Sequence, residues 1–286
     1  MPLTQMPMPV LRFLIPAFLL PVFFLACTTI EIRESDAFDN HPTVTPQSYN
    51  SEIFTLSEHT VETEDGEALN AWHLQREGAL GTVLYFGGNG FLLVKSLPWI
   101  QAYETLPVNL VLFDYRGYGL STGSPSVDGI FTDAQSVHEF LISELNANPE
   151  RIILHGHSMG SLVTGRMLSE LNPAAFIMES PITEINDWTR RLVPLLLRPF
   201  IRFRFDEAIS QQNNLTRVAA SELPALFITG TEDQITPERM AKQLYEASPS
   251  SDKTLRLIEG GGHNDLPLSQ HYRDALLTFL EGVLLP

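Results

Sequence analysis

The chain has 286 residues and carries 34 Asp and Glu against 18 Lys and Arg, a formal net charge of −16. At 44% hydrophobic and 18% charged, its composition is that of a globular protein with an ample core, not of a disordered chain. The acidic balance argues against nucleic-acid binding, which depends on Lys and Arg neutralising phosphates, and the single cysteine, Cys27, leaves no partner for an intrachain disulfide or a cysteine-based metal centre.

Residues 1–26 contain no acid and one base, Arg12. The run LRFLIPAFLLPVFFLAC turns polar at TTIEIRESD, which has the form of a secretory signal: a short charged start, an apolar stretch and a small residue before the break. The stretch is shorter than the ~18 apolar residues that mark a spanning helix, and Pro16 and Pro21 interrupt it. Cys27 follows Phe24-Leu25-Ala26 at the break and resembles the lipid-attachment cysteine of a bacterial lipobox, with Phe24 departing from the usual aliphatic residue. That resemblance implies export, cleavage after Ala26 and a lipid anchor in the cell envelope, at the periplasmic face of an outer membrane. An ordinary signal peptide or an uncleaved anchor is the alternative. Residues 27–51 are polar, with Pro42 and Pro46, and read as a tether.

From residue 52 the pattern changes. Two β-rich runs flank Asp65-Gly66, a hairpin signal. The runs TVLYFG, NLVLFDY, RIILHG, AAFIMES, PALFITG and TLRLIEG then predict strands buried on both faces, and helices are expected over 94–105, 128–146, 159–171, 237–247 and 268–284. A hairpin followed by β-α alternation specifies an α/β fold with a doubly wound, mostly parallel sheet. Residues 183–217 are too long for a simple connection and read as a short helical cap inserted in a domain spanning 52–286.

The chemistry gathers at the carboxyl ends of these strands. Gly156-His157-Ser158-Met159-Gly160 lies directly between a strand and a helix, the context a G-x-S-x-G nucleophile elbow requires. A serine hydroxyl needs a base, and the base needs an orienting carboxylate. After Ser158 the chain has two histidines: His263, in a glycine turn, and His271, expected inside the last helix. Asp233 follows the strand PALFI, which brings it to the same sheet edge as His263; Glu232 and Glu179 are rival acids. Asp114 precedes Ser158 in the chain and reads as structural, in a loop with Arg116. His155 and His157 read as packing or pocket lining.

The motifs YFGGNG, FDYRGYGLSTGSPS, GHSMG, TGTEDQITP and GGGHND, in that order, resemble an α/β-hydrolase of the serine-hydrolase type, in the branch related to monoacylglycerol lipases and serine aminopeptidases. The resemblance covers residues from about 52 to 284. It implies Ser158 as nucleophile, Asp233 as orienting acid and His263 as general base, acting on a small or lipid-like acyl substrate. It also implies an oxyanion hole from the backbone N–H groups of Met159 and Asn89, although Gly87 stands where relatives carry histidine. Such donors are worth ~3–4 kcal/mol each in the transition state.

No metal cluster or nucleotide loop is readable, so no cofactor is expected. The cap arginines Arg190, Arg191, Arg198, Arg202 and Arg204 read either as a site for an anionic group or as a solvated face. Three functions follow in decreasing order: an ester, thioester or amide hydrolase; a perhydrolase or dehalogenase relative, disfavoured by the serine nucleophile; and a catalytically idle lipoprotein, disfavoured by a complete triad.

Overall fold

A computed structural model of the protein describes residues 28–38, 49, 51–191, 197–198 and 200–285. Residues 1–27, and with them the signal and the Cys27 readings, lie outside the described residues. Among the described residues the strands are β1 (Thr28–Ile32), β2 (Thr55–Glu62), β3 (Ala68–Gln75), β4 (Gly81–Phe86) and β5 (Val108–Phe113). They continue with β6 (Ile152–His157), β7 (Ala175–Glu179), β8 (Ile201–Phe205), β9 (Ala225–Gly230) and β10 (Lys253–Ile258).

Eight of them form one sheet in the order β10-β9-β7-β6-β4-β5-β3-β2. The opening hairpin β2–β3 is antiparallel and joins β5 antiparallel, while the other pairings are parallel. The apolar runs become strands because helices cover both faces, so that Val83, Leu154, Ile177 and Phe227 lose all contact with solvent. The last strand departs from expectation: β10 is an edge strand, and Arg256 and Leu257 on it are exposed. The helices Leu97–Tyr103, Val127–Ser143, Gly160–Leu171, Glu238–Ala247 and Gln270–Leu284 fall where the apolar spacing put them.

The cap differs from its expected all-helical form. It contains the short helices Ile185–Arg191, Glu207–Ser210 and Asn214–Ala219, but also β8, which pairs in parallel with β1 from Thr28↔Ile201 to Ile32↔Phe205. Along β8 the residues Ile201, Phe203 and Phe205 turn inward and Arg202 and Arg204 outward, the period of two that a half-buried strand imposes. Residues 28–38, expected as tether, therefore run as a strand and one helical turn, Glu34–Ala37, against the cap. Beneath them a second apolar cluster of Val127, Leu162, Ile182, Ile185 and Ile209 joins cap to body, with Phe38 packed against both this cluster and the main core.

Candidate active site

Strand β6 carries the turn that presents Ser158. It sits between β4 and β7, with Phe86 opposite Gly156 and His157 opposite Glu179, so the turn emerges at the middle of the sheet. Ser158 takes φ = 53°, a left-handed conformation costly for a residue with a side chain, and its N–H donates to Glu179 O at 2.9 Å. The flanking glycines are steric necessities: a Cβ on Gly156 would lie 2.2 Å from Gly160 O, and one on Gly160 would lie 2.0 Å from Phe86 O. Helix Gly160–Leu171 starts at once, with Met159 as its N-cap, so the positive end of its dipole faces the Ser158 hydroxyl.

The three residues singled out in the sequence meet here. His263 Nε2 lies 3.0 Å from Ser158 Oγ, and His263 Nδ1 lies 2.8 Å from Asp233 Oδ2. Asp233 is buried; its Oδ1 accepts from the N–H groups of Ile235 (2.9 Å) and Thr236 (2.8 Å), and the Thr236 hydroxyl is 2.9 Å from Oδ2. Burial opposes ionisation of Asp233, but the hydrogen bond to His263 and the Thr236 amide outweigh it and hold the carboxyl below its ordinary range. Thr236, three residues beyond Asp233, belongs to this network without having stood out in the sequence; the D-x-x-T spacing of a tight turn was its only signal.

The rival acids lie elsewhere. Glu232 is exposed. Glu179 is fully buried on another side of the elbow, where its Oε2 accepts from Tyr272 Oη at 2.8 Å and lies 3.1 Å from His155 Nε2. Tyr103 Oη meets His155 Nδ1 at 2.5 Å, so Tyr103, His155, Glu179 and Tyr272 form one buried chain. Burial pulls the Glu179 carboxyl upward, but the neighbouring His157 and His155 and the Tyr272 hydroxyl prevail and keep it low. Asp114 is buried and structural: it accepts from Leu93 N (2.8 Å), Asn70 Nδ2 (3.1 Å) and Leu120 N (3.3 Å). Arg116 pairs with Asp65 (2.6 Å) and Asp133 (2.8 Å) rather than with Asp114. His271 is an exposed residue of the last helix.

The loop after β4 closes the site from the other side. Gly88 approaches so closely that a Cβ on it would lie 3.3 Å from Ser158 Cβ and 2.9 Å from His157 Nδ1. The Phe91 ring fills the space a side chain at 87 would need, 2.2 Å from a Cβ built there, which accounts for glycine at that position. Asn89 is exposed; its Oδ1 accepts from Tyr118 Oη at 2.8 Å, and its Nδ2 donates to Ala37 O at 3.1 Å. Ser158, Met159, His263, Gly88 and Asn89 border one cavity of about 520 Å³ that runs under the cap. Among the described residues no group of three or more His, Cys, Asp or Glu side chains is placed to hold a metal ion.

The signature of the alpha/beta hydrolase family matches residues 83–277, and the chain belongs to that family of hydrolases. An uncharacterized protein of Mycobacterium tuberculosis is 32% identical over 224 residues, 77% of each chain. An uncharacterized membrane protein of Saccharomyces cerevisiae is 29% identical over 229 residues, 77% of this chain and 78% of the other. Among solved structures, an esterase of Pyrococcus furiosus superposes with a TM-score of 0.68 at 22% identity, covering 86% of this chain and 100% of the other. Mouse alpha/beta hydrolase domain-containing protein 10 gives 0.59 at 16%, covering 79% and 97%. At those identities the two structures share the fold.

Proposed function

We propose that the protein is a serine hydrolase that cleaves a carboxylic ester through an acyl-enzyme, with thioesters and amides as chemically related substrates. The observation that carries this reading is the unbroken chain Asp233–His263–Ser158, at 2.8 and 3.0 Å, opening on a cavity large enough for a small-molecule substrate. His263 takes the Ser158 proton as Oγ attacks the ester carbonyl, and Asp233 holds the imidazole with Nδ1–H toward itself and stabilises the imidazolium. The tetrahedral oxyanion falls at the helix N-terminus, where the backbone N–H groups of Met159 and Asn89 donate to it. Collapse breaks the ester C–O bond, and His263 returns its proton to the leaving alkoxide. Water, deprotonated by His263, then attacks the acyl-enzyme; the acid is released and Ser158 regains its proton.

The test is covalent labelling with a fluorophosphonate, which reacts with an activated serine. Wild type should label on Ser158 and Ser158→Ala should not; labelling that persists in Ser158→Ala defeats the assignment.

The sequence around Cys27 further supports the proposal that the protein is exported and held at a membrane by a lipid on that residue.

A further inference from the structure

The cavity beside Ser158 has one wall that does not come from the hydrolase domain. Ile32, Ala37 and Phe38 line it together with cap and body residues such as Phe131, Trp188 and Phe205. This N-terminal strap lies ahead of residue 83, where the family match begins. Four contacts pin it. The β1 strand pairs with β8 of the cap, and Glu34 N donates to Asp206 Oδ2 at 3.0 Å. The Glu34 carboxylate accepts from Val127 N at the start of helix Val127–Ser143, where the helix dipole favours a negative charge. Ala37 O accepts from Asn89 Nδ2 at 3.1 Å, which ties the strap to the loop that borders Ser158.

The lining also has a definite chemical character. Among the described residues no Lys or Arg borders the cavity, and the one carboxylate on it, Asp36, is exposed and accepts from Arg33 N at 3.1 Å. An anionic acyl group would therefore enter without a counter-charge, at the cost of its hydration. Of the cap arginines, Arg190, Arg198 and Arg202 border a second cavity and Arg204 a third.

We propose that residues 28–38 form the specificity-determining wall of an acyl-chain pocket, so that the enzyme takes esters of uncharged, apolar acids whose length is limited by Phe38 and Ile32. This deepens the serine-hydrolase reading and rests on it for the direction in which the acyl group points. Each methylene housed in the pocket should raise kcat/KM about fourfold, equivalent to ~0.8 kcal/mol, until the chain meets the strap.

The test is kcat/KM of the full chain across p-nitrophenyl esters from acetate to tetradecanoate. Wild type should climb and then fall. Phe38→Ala should move the break to acyl groups at least two carbons longer and Phe38→Trp to shorter ones. An unmoved break, or a loss equal at every length, overturns the proposal. A second readout needs no chemistry: 1-decanol binding followed by tryptophan fluorescence, in wild type and in Ile32→Asp with circular dichroism as the folding control. Decanol binding that weakens at least tenfold in Ile32→Asp supports the pocket even if wild type hydrolyses no ester, an outcome that would overturn the nucleophile reading alone. Equal decanol binding in both proteins overturns the pocket.

Discussion

His157 donates its Nε2–H to the backbone carbonyl of His263 across 3.0 Å, so the residue that precedes the serine braces the loop that carries the histidine. The centroids of the two rings are 5.0 Å apart, and that of His157 is also 5.7 Å from that of Trp99. Burial lowers the His157 pKa and outweighs the nearby Glu179 carboxylate, which raises it. His157→Leu should lower kcat about tenfold with little effect on KM, because a loosened base misplaces proton transfer, not binding. His157→Gln, which retains a donor, should recover part of the loss. Steady-state kinetics on one ester decides it, and equal defects in the two variants would defeat the brace.

Within the triad the expected order is steep. Ser158→Ala and His263→Ala should each cost on the order of 10⁴-fold or more in kcat, and Asp233→Asn somewhat less. Glu179→Gln should leave more activity than Asp233→Asn, because its carboxylate faces His155 and Tyr272 and not His263. Thr236→Val removes a hydroxyl 2.9 Å from Asp233 Oδ2 and should cost about 1 kcal/mol of transition-state stabilisation, a several-fold loss in kcat/KM.

The elbow glycines make a stability prediction. Gly160→Ala sets a methyl 2.0 Å from a main-chain oxygen in the centre of the sheet, where neither strand nor helix can give. The cost should be at least ~3 kcal/mol, read as a lower urea midpoint or failure to fold. Gly282→Ala, with open space around its Cβ in the last helix, should be neutral or mildly stabilising.

Acid sensitivity has a traceable source in β3. His73 is buried there beside His59, and burial first, then the neighbouring histidine, brings its pKa from 6.5 to about 4. The folded state therefore resists a proton that the unfolded chain accepts at 6.5. Stability is full above pH 6.5, falls as pH drops toward 4, and levels off below that; the total is about 3 kcal/mol. His73→Leu should flatten that part of the profile in urea titrations at pH 7, 5.5 and 4. An unchanged slope would assign the loss to other groups.

Most of the fold was legible because its signals are local. The runs that became β4 to β7 and β9 are continuous and apolar, and the helices between them carry their own spacing and breakers. The meeting of Ser158, Asp233 and His263 was legible from motifs and placement: chain order set Asp114 aside, and the position of Asp233 in the loop after the strand PALFI, one strand before His263, favoured it over Glu179, which ends β7. The cap was not, because its strand gains stability only by pairing with β1, more than 170 residues away in sequence. The alternation in Ile201-Arg202-Phe203-Arg204-Phe205 was the available sign, but it spans only five residues inside a segment whose other apolar residues and prolines carry no strand pattern. Thr28–Ile32 looked like tether for the same reason: five residues among polar neighbours have no local pattern strong enough to mark a strand.

The position of β1 sharpens what lipidation of Cys27 would do. The strand begins at Thr28, the next residue, and lies on the cap beside the cavity. A lipid on Cys27 would thus enter the bilayer next to the cap, with no long spacer, and the cavity would work close to the membrane surface. Acyl chains supply ~0.8 kcal/mol per buried methylene, whereas a chain of net charge −16 gains nothing from an anionic bilayer, so high salt should not release the protein. Cys27→Ser should leave the membrane fraction and keep full activity on soluble esters, since the proposed chemistry draws on Ser158, Asp233 and His263. On esters carried in vesicles its activity should fall well below that of wild type. Metabolic labelling with a palmitate analogue is the deciding measurement: label on wild type and none on Cys27→Ser is the expected result, and an unlabelled wild type would reduce the N-terminal segment to an ordinary signal or anchor.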